Sequence, residues 1–244
     1  MSGHSKWNNI KRKKEKTDAA KAKIFTKIGR EIAVIVKAGG PNPAENSKLK
    51  DAIAKAKAAN VPNENIERII KKAAGEGDNT NYEELVYEGY GPNGIAVIVE
   101  TLTDNRNRTA GDVRHYFDKC GGNLGQSGSV MFMFDRKGVI DIEAEGQDED
   151  TVMEAALEAG AEDFTSDGDI FEILTDPNEF GAVREALEEK GFTFVSAEIQ
   201  YVPQTTSTIE DEEAVTKMEK LIDMLEENDD VQSIWHNWEM PEEE

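Results

Sequence analysis

Histidine and cysteine, which commonly perform catalysis or bind metals, are few in this 244-residue sequence and lie far apart, and among the 50 carboxylates no pair stands out by its spacing. The three histidines, His4, His115 and His236, show no metal-ligand spacing with one another or with Cys120. The lone cysteine ends an apolar helical pattern, which favours a small core residue over a nucleophile, and no serine lies in a G-x-S-x-G elbow. The sequence therefore predicts no catalytic residue, no metal site and no cofactor, and we expect a protein that is not an enzyme.

A glycine-rich segment, GGNLGQSGS at residues 121–129, has the composition of an anion-binding loop. Phosphate loops of the Walker or Rossmann kind follow a strand and open a helix, because the helix N-terminus attracts anions. This segment instead follows a predicted helix and enters a predicted strand. A backbone nest for an anion stays open, but the order of elements favours a mobile recognition loop or a plain connector.

Basic residues are the clearest chemical signal, and they are concentrated near the N-terminus. Residues 1–75 hold 18 Lys and Arg against 7 Asp and Glu, a net charge of +11, whereas the remaining residues hold 10 against 43, a net charge of −33. A cationic face neutralises several phosphates at once and releases their counterions. The asymmetry therefore predicts nucleic-acid binding at this end. The alternative is that the basic and acidic surfaces pair with each other within the molecule.

We predict nucleic-acid contacts from the N-terminal arm, the first helix and a later pair of arginines. Lys23, Lys27 and Arg30 recur at i, i+4 and i+7, which places them on one helix face. Trp7 either stacks on a base or sugar or anchors the arm to the first helix. Arg106 and Arg108 either make a second phosphate contact or are ordinary surface arginines. The predicted set is His4, Lys6, Trp7, Lys11, Arg12, Lys13, Lys14, Lys21, Lys23, Lys27, Arg30, Arg106 and Arg108.

The elements that position these residues begin with three helices. Apolar residues recur at helical spacing around Ile28 and Ile32, and Gly39-Gly40-Pro41 ends that pattern. Asn42-Pro43 is a typical start for a second helix, and a break around Pro62 precedes a third. The sequence therefore predicts a small helical domain over residues 1–78.

Beyond a polar link, residues 138–204 follow the order β-α-β-β-α-β of the ferredoxin-like fold, with a tight hairpin at Asp167-Gly168. Residues 79–137 show fewer elements: strands over 95–99 and 130–134 with one helix between them. We expect the tail, residues 205–244, to add a helix and a strand to this middle domain, so that 138–204 is an insertion. The tail as a separate helical appendage is the alternative. The predicted fold class is α+β.

The composition also excludes some classes of protein. No apolar run approaches the roughly 20 residues of a membrane span. The basic start lacks the apolar stretch of a secretory signal. A single cysteine excludes an internal disulfide and is typical of a reducing compartment. We expect a cytoplasmic protein without a membrane partner.

Short motifs along nearly the whole chain resemble those of the YebC/PmpR family. They are GHSKW at 3–7, KIFTK at 23–27, REI at 30–32, GGPNP at 39–43, NVP at 60–62, YEGYGP at 87–92, TDNRNRT at 103–109 and GGNLG at 121–125. The chain departs from the family pattern at 11–13, where KRK replaces a His-Arg-Lys type triplet. It departs again at 20–23, where AKAK replaces Lys-Arg-Gly-Lys. Both departures keep basic charge.

The resemblance implies a helical domain followed by two α+β domains, the last inserted in the middle one, and it implies no catalytic residue. Members are described as probable cytoplasmic transcriptional regulators that bind DNA. Others, including mitochondrial relatives, are described as translational activators on the ribosome, notably at proline-containing stretches. The expected partner is therefore DNA or ribosomal RNA, with the transcription machinery or the ribosome. The acidic remainder would repel a long duplex wrapped around the protein, and no heptad repeat indicates the dimer that a palindromic operator needs.

Overall fold

The structure is a computed structural model that describes residues 18–75 and 81–240. Within these ranges the helices are α1 (Asp18–Gly39), α2 (Ser47–Ala58), α3 (Asn63–Ala74), α4 (Arg106–Lys119), α5 (Glu149–Ala159), α6 (Phe180–Glu189) and α7 (Glu212–Glu227). The strands are β1 (Glu83–Tyr90), β2 (Ala96–Thr103), β3 (Asn123–Leu124), β4 (Phe134–Glu143), β5 (Asp163–Asp167), β6 (Ile170–Thr175), β7 (Ser196–Pro203) and β8 (Val231–His236).

The three N-terminal helices pack around one apolar core that includes Ile32, Leu49 and Ile66. The predicted start of α2 at Asn42-Pro43 is wrong, because Asn42 forms a local turn by accepting a hydrogen bond from the Ala44 N–H. Asn46 is the cap instead: its side-chain oxygen accepts from the Leu49 N–H at 3.2 Å. A side chain at Gly39 would collide with the Asn46 amide, so the tight end of α1 requires glycine.

The first sheet is antiparallel, with strand order β3-β1-β2-β8, and it carries α4 and α7 on one face. Strand β8 comes from the C-terminal tail and pairs with β2, with Ile98 opposite Trp235. The predicted strand over residues 130–134 is wrong, because Met131–Met133 is a single 3₁₀ turn that leads into β4. Strand β1 was missed, since its charged residues hide its alternating pattern. This topology supports the domain division, whose boundaries stay a prediction.

The second sheet is also antiparallel, with strand order β5-β6-β4-β7, and α5 and α6 cover one face. Together with the chain order β4-α5-β5-β6-α6-β7, this strand order confirms the ferredoxin-like fold. The hairpin loop lies one residue later than predicted, since Asp167 pairs with Ile170 and the loop is Gly168 and Asp169. Gly168 has a φ of +58°, which glycine adopts without strain.

The predicted α+β fold class is confirmed by the N-terminal domain of three helices and by the two four-stranded sheets with their covering helices. In the ranges that the structure describes, no helix is both long enough and apolar enough to span a bilayer.

Candidate nucleic-acid interface

The predicted interface residues fall into three groups according to where the structure places them. His4, Lys6, Trp7, Lys11, Arg12, Lys13 and Lys14 lie outside the described residues. Lys21 lies in α1, but its side chain is also outside the description. The remaining five, Lys23, Lys27, Arg30, Arg106 and Arg108, have defined surroundings.

The cationic face of α1 contacts the C-terminal end of α7. Lys23 Nζ donates to the Glu227 carbonyl at 2.9 Å, and Lys27 Nζ donates to the Glu226 carbonyl at 2.8 Å. Arg30 Nη1 donates to the Asp229 carbonyl at 2.9 Å. The last carbonyls of a helix have no partner within the helix and carry the negative end of its dipole. Lys23 and Lys27 therefore cap α7, Arg30 binds the segment just after it, and all three attach the helical domain to the middle domain.

Arg30 and Arg108 meet at one buried carboxylate, that of Asp230. Arg30 Nη1 lies 2.9 Å from Oδ1, and Arg108 Nη2 lies 2.7 Å from Oδ2. The hydroxyls of Thr109 and Thr103 donate to Oδ2 at 2.9 and 3.3 Å. These five residues are called the Asp230 cluster below. Two predicted contacts that are distant in the sequence thus belong to a single internal site.

Asp230 stays ionised at neutral pH although its side chain is only 6% exposed. Burial by itself would raise the pKa of this carboxyl, but the hydrogen bonds from Arg108, Thr109 and Arg30 outweigh burial and hold the pKa below its ordinary value. A buried charge of this kind is tolerated only when it is paired and hydrogen-bonded. Asp230 is therefore a structural anion that orients both arginines.

The two later arginines differ in their surroundings. Arg108 also donates to Asp104 at 2.8 Å, so its guanidinium binds two carboxylates, and hydrogen bonds to Asp230 and Asp104 raise its pKa. Arg106 pairs with Glu83 at 3.4 Å, and both side chains are exposed. A shallow polar pocket of about 350 Å³ lies beside the Asp230 cluster. It is lined by Arg30, Arg108, Asn228, Asp104, Asp112, Glu227, Asp229 and Asp230. Because carboxylates outnumber the arginines, the pocket does not suit a phosphate.

The second helix pairs with the inserted domain. Lys55 of α2 lies 3.4 Å from Glu198 on β7 and 3.2 Å from Glu31 on α1. Burial would lower the pKa of Lys55, but Glu198 and Glu31 raise it further than burial lowers it. Lys50 lies 2.6 Å from Glu185 of α6. The alternative interpretation of the charge asymmetry was that basic and acidic surfaces pair within the molecule. It holds for these two lysines and for the cations of α1.

A further ion pair joins α2 to the inserted domain, and here the inserted domain supplies the cation and α2 the carboxylate. Arg184, whose side chain is 2% exposed, lies 3.1 Å from Asp51 of α2. Burial raises the pKa of Asp51, and Arg184 opposes that rise. The helical domain thus holds both neighbouring domains through ion pairs.

A different set of cations in the helical domain is exposed. Lys57 and Lys71 line an apolar groove of about 460 Å³ between α2 and α3, beside Ile53 and Ile70. Lys48 and Lys72 are also exposed. Over residues 18–75 and 81–240, these four lysines form no ion pair within 4 Å. They are accessible to phosphate, and sequence reasoning left them out of the predicted set because spacing does not reveal which helix face a neighbouring domain covers.

The glycine-rich loop is held by a carboxylate of the protein itself. Glu88 of β1 accepts from the N–H groups of Gly128 at 2.6 Å, Val130 at 2.9 Å and Met131 at 2.8 Å. Burial would raise the pKa of Glu88, but these three donors hold it below its ordinary value. A backbone nest does exist here, and Glu88 fills it. No local pattern around Glu88 predicts this role, because its partners lie about 40 residues further along the chain.

Cys120, His115 and His236 make none of the contacts described above. Cys120 is fully buried at the end of α4, and burial raises the pKa of its thiol. His115 lies exposed on α4 and His236 lies on β8, in different surroundings. No group of three or more His, Cys, Asp or Glu side chains has the arrangement of a metal site, as far as residues 18–75 and 81–240 are concerned.

Two family models cover nearly the whole chain. Residues 5–76 match the model described as the TACO1/YebC protein N-terminal domain, and residues 82–238 match the model described as the TACO1/YebC second and third domain. The first match ends two residues after α3, and the second begins one residue before β1.

Similar proteins match along their full length. A protein from Acetivibrio thermocellus is 66% identical over 239 residues, which cover 98% of this chain and 99% of the relative. Another, from Caldicellulosiruptor saccharolyticus, is 62% identical over 243 residues, or 99% of this chain and 100% of the relative. Both are named probable transcriptional regulatory protein. The crystal structure of a conserved hypothetical protein from Aquifex aeolicus is 49% identical and superposes with a TM-score of 0.83, covering 93% of this chain and 94% of that chain.

Proposed function

The chain belongs to the TACO1/YebC family, and from that membership we propose that it regulates gene expression by binding nucleic acid through its N-terminal helical end. The observation that carries the proposal is the net charge of +11 in the first 75 residues of a chain whose remainder carries −33. Such a separation supports contact with a polyanion at one end of the molecule and repulsion elsewhere.

Within the helical end, the basic residues divide between two tasks. We assign phosphate contact to the exposed lysines Lys48, Lys57, Lys71 and Lys72 and, from the sequence alone, to the basic arm at residues 6–16. The α1 cations donate to the end of α7. Phosphate contact by Lys23, Lys27 and Arg30 stays a prediction. A phosphate would have to compete with the backbone carbonyls that these side chains already bind. In this arrangement they orient the helical domain against the middle domain.

The first candidate target is DNA, which agrees with the names of the similar proteins as probable transcriptional regulators. Binding by phosphate contacts alone would be insensitive to base sequence. A transcriptional role therefore requires either a protein partner at the promoter or base contacts from the arm.

The second candidate is ribosomal RNA, in a translation factor that relieves stalls at proline-rich stretches. The specific observation that favours it is the confinement of the basic surface to one end, with acidic domains on two sides of it. A long duplex meets repulsion from those domains, whereas a folded RNA site can accept a single basic end.

Ultraviolet crosslinking of the tagged protein in growing cells, followed by sequencing of the attached nucleic acid, tests the proposal. Reads clustered at one ribosomal RNA site would support the translational candidate. Reads at promoters without ribosomal RNA would support the transcriptional candidate. Recovery of neither above an untagged control would refute nucleic-acid binding.

A further inference from the structure

One face of the second sheet carries carboxylates. Side chains alternate between the two faces along a strand, and Ile140, Ile142 and Ile173 pack in the core under α5 and α6. The residues between them therefore lie on the opposite face, which is called the acidic face below. Its carboxylates are Asp141, Glu143, Asp163, Asp167, Glu172 and Glu198.

Two of these carboxylates are buried side by side. Asp141 of β4 lies directly opposite Glu172 of β6, and the two residues are 2% and 6% exposed. Opposite residues of an antiparallel pair have Cβ atoms about 5 Å apart, and like charges at that distance destabilise a sheet. Ser196 Oγ donates to Asp141 Oδ2 at 2.6 Å, which supplies a hydrogen bond but no charge. Buried carboxylates this close together require positive charge nearby.

Apolar residues of the acidic face are buried as well. Val139 is fully buried and Ile170 is 7% exposed, although α5 and α6 lie on the other side of the sheet. The helical domain covers the edge of the face at β7, where Lys55 of α2 pairs with Glu198. The basic part of the chain therefore already brings one cation to one carboxylate of this face.

The sequence that precedes α1 has the charge and the length to reach the other carboxylates. The basic arm at residues 6–16 holds six Lys and Arg against one Glu. From Asp18 at the start of α1 to Glu31, which binds Lys55, the helix rises about 20 Å. A chain as long as the arm spans up to about 40 Å. The arm can therefore reach the acidic face from the point where α1 begins.

We propose that the basic arm binds the acidic face of its own chain and neutralises Asp141 and Glu172. The cations of the arm then have two anionic targets, this face and the phosphates that the proposed function assigns to them. Nucleic acid has to displace the arm from the sheet, so the acidic face weakens the arm's contribution to affinity. The inference goes beyond the proposed function, because the contact lies within the protein and forms without nucleic acid.

Carbodiimide crosslinking of the full chain in the absence of nucleic acid tests the contact, because this reagent joins a lysine amine directly to a carboxylate beside it. Peptide mass spectrometry is expected to recover links from lysines of the arm to Glu143 and Asp167, the more accessible carboxylates around the buried pair. A link between Lys50 and Glu185, which lie 2.6 Å apart, shows that the reagent has worked. If that link forms and the arm is not linked to the acidic face, the proposal is wrong.

An equal mixture of nitrogen-15-labelled and unlabelled protein identifies the chain that supplies the arm. Links confined to one label are expected, because the arm binds its own chain. Links that join the two labels as often as they join one would place the arm on a second copy and overturn the proposal. Neither result depends on whether the protein binds nucleic acid, so the proposed function can fail while this contact stands.

A double variant separates the buried pair from the rest of the acidic face. Asp141→Asn with Glu172→Gln should lose the links to Glu143 and Asp167, although both reporter carboxylates are still present. Asp150→Asn with Glu154→Gln removes the same charge from exposed positions of α5, on the other side of the sheet, and should keep the links.

Links that persist in the Asp141 and Glu172 variant, or that fall equally in the control, would contradict neutralisation of the buried pair. The unfolding midpoint of each variant, measured by circular dichroism, shows whether a loss comes from folding. If the double variant does not fold, the links of the unchanged protein decide the proposal.

Discussion

At the scale of single residues, Asp230 is the position where one side chain connects two domains. Its carboxylate receives Arg30 from α1 and Arg108 from α4, and two threonine hydroxyls complete its hydrogen bonds. Replacing one partner of a buried ion pair leaves the other charges without compensation, which costs more than the pair itself contributes. Asp230 therefore matters more to stability than an exposed aspartate does.

Asp230→Ala is expected to lower the free energy of unfolding by about 1–3 kcal/mol, because Arg30 and two threonine hydroxyls lose a buried acceptor, whereas Arg108 is partly exposed and keeps Asp104. Denaturant titration followed by circular dichroism measures the change. Asp118→Ala, at an exposed aspartate of α4, is the control and should stay within about 0.5 kcal/mol of the unchanged protein. Equal effects of the two substitutions would contradict a structural role for Asp230.

The pKa of Asp230 is lowered by folding, and this predicts a dependence on pH. Such a group stabilises the folded state fully above its unfolded pKa of about 3.9, and the stabilisation is lost as pH falls through the lower folded value. The stability difference between the unchanged protein and Asp230→Ala should therefore be constant from pH 7 to about pH 5 and shrink in stronger acid. Unfolding titrations across that range measure it. A difference that grows in acid would have the wrong sign.

At the scale of elements, the contact between α1 and the end of α7 is the clearest case of one helix completing another. Three cations at helical spacing bind backbone carbonyls at the end of α7 and just beyond it, those of Glu226, Glu227 and Asp229. The spacing that predicted a phosphate-binding face equally suits the negative end of a helix. Both targets are anionic, so residue types alone do not distinguish them.

Replacement of Lys23, Lys27 and Arg30 by alanine together should increase amide hydrogen exchange in α1 and in the segment after α7. The reason is that the replacement removes the hydrogen bonds that join these elements. Exchange followed by mass spectrometry measures this effect on the full chain. If exchange is unchanged while affinity for nucleic acid falls, the three side chains contact phosphate directly. That result would contradict the positioning role proposed for them.

At the scale of the whole molecule, the charge asymmetry has two consequences. Part of the basic surface binds the acidic domains, through Lys50, Lys55 and the α1 cations. The rest stays exposed around α2 and α3. Nucleic acid is therefore expected to bind the outer side of the helical domain, away from both sheets.

The triple replacement of Lys57, Lys71 and Lys72 by alanine should weaken binding to all sequences alike. It should also flatten the dependence of affinity on salt by about one unit of slope for each lysine that contacts a phosphate. Anisotropy titrations at several salt concentrations measure both. Arg114, Lys119 and Lys220 are exposed cations of the middle domain, and their alanine triple is the matched control because it removes the same charge. Equal slopes for the two triples would refute the outer-side footprint.

Local patterns were sufficient for most of the elements. Apolar spacing around Ile28 and Ile32 predicted α1, and the alternation of strands and helices in residues 138–204 predicted the ferredoxin-like fold that the structure confirms. Each of these elements buries one face, so its apolar residues recur with the period of a helix or a strand over a short stretch of sequence. Strand β1 was missed because Glu88, which looks like a turn residue, is buried beneath a loop 40 residues away.

The sequence by itself determined the α+β class, the basic helical end and the absence of recognisable catalytic motifs, since these depend on composition and short spacing. Only the tertiary structure decided what the charges bind. Arg30 and Arg108 lie 200 and 122 residues from Asp230 along the chain, and no local pattern relates them. Exposure decided the rest: Lys55 and Lys57 are two residues apart on α2, yet one binds Glu198 and the other faces outward. Packing of one domain against another sets that difference.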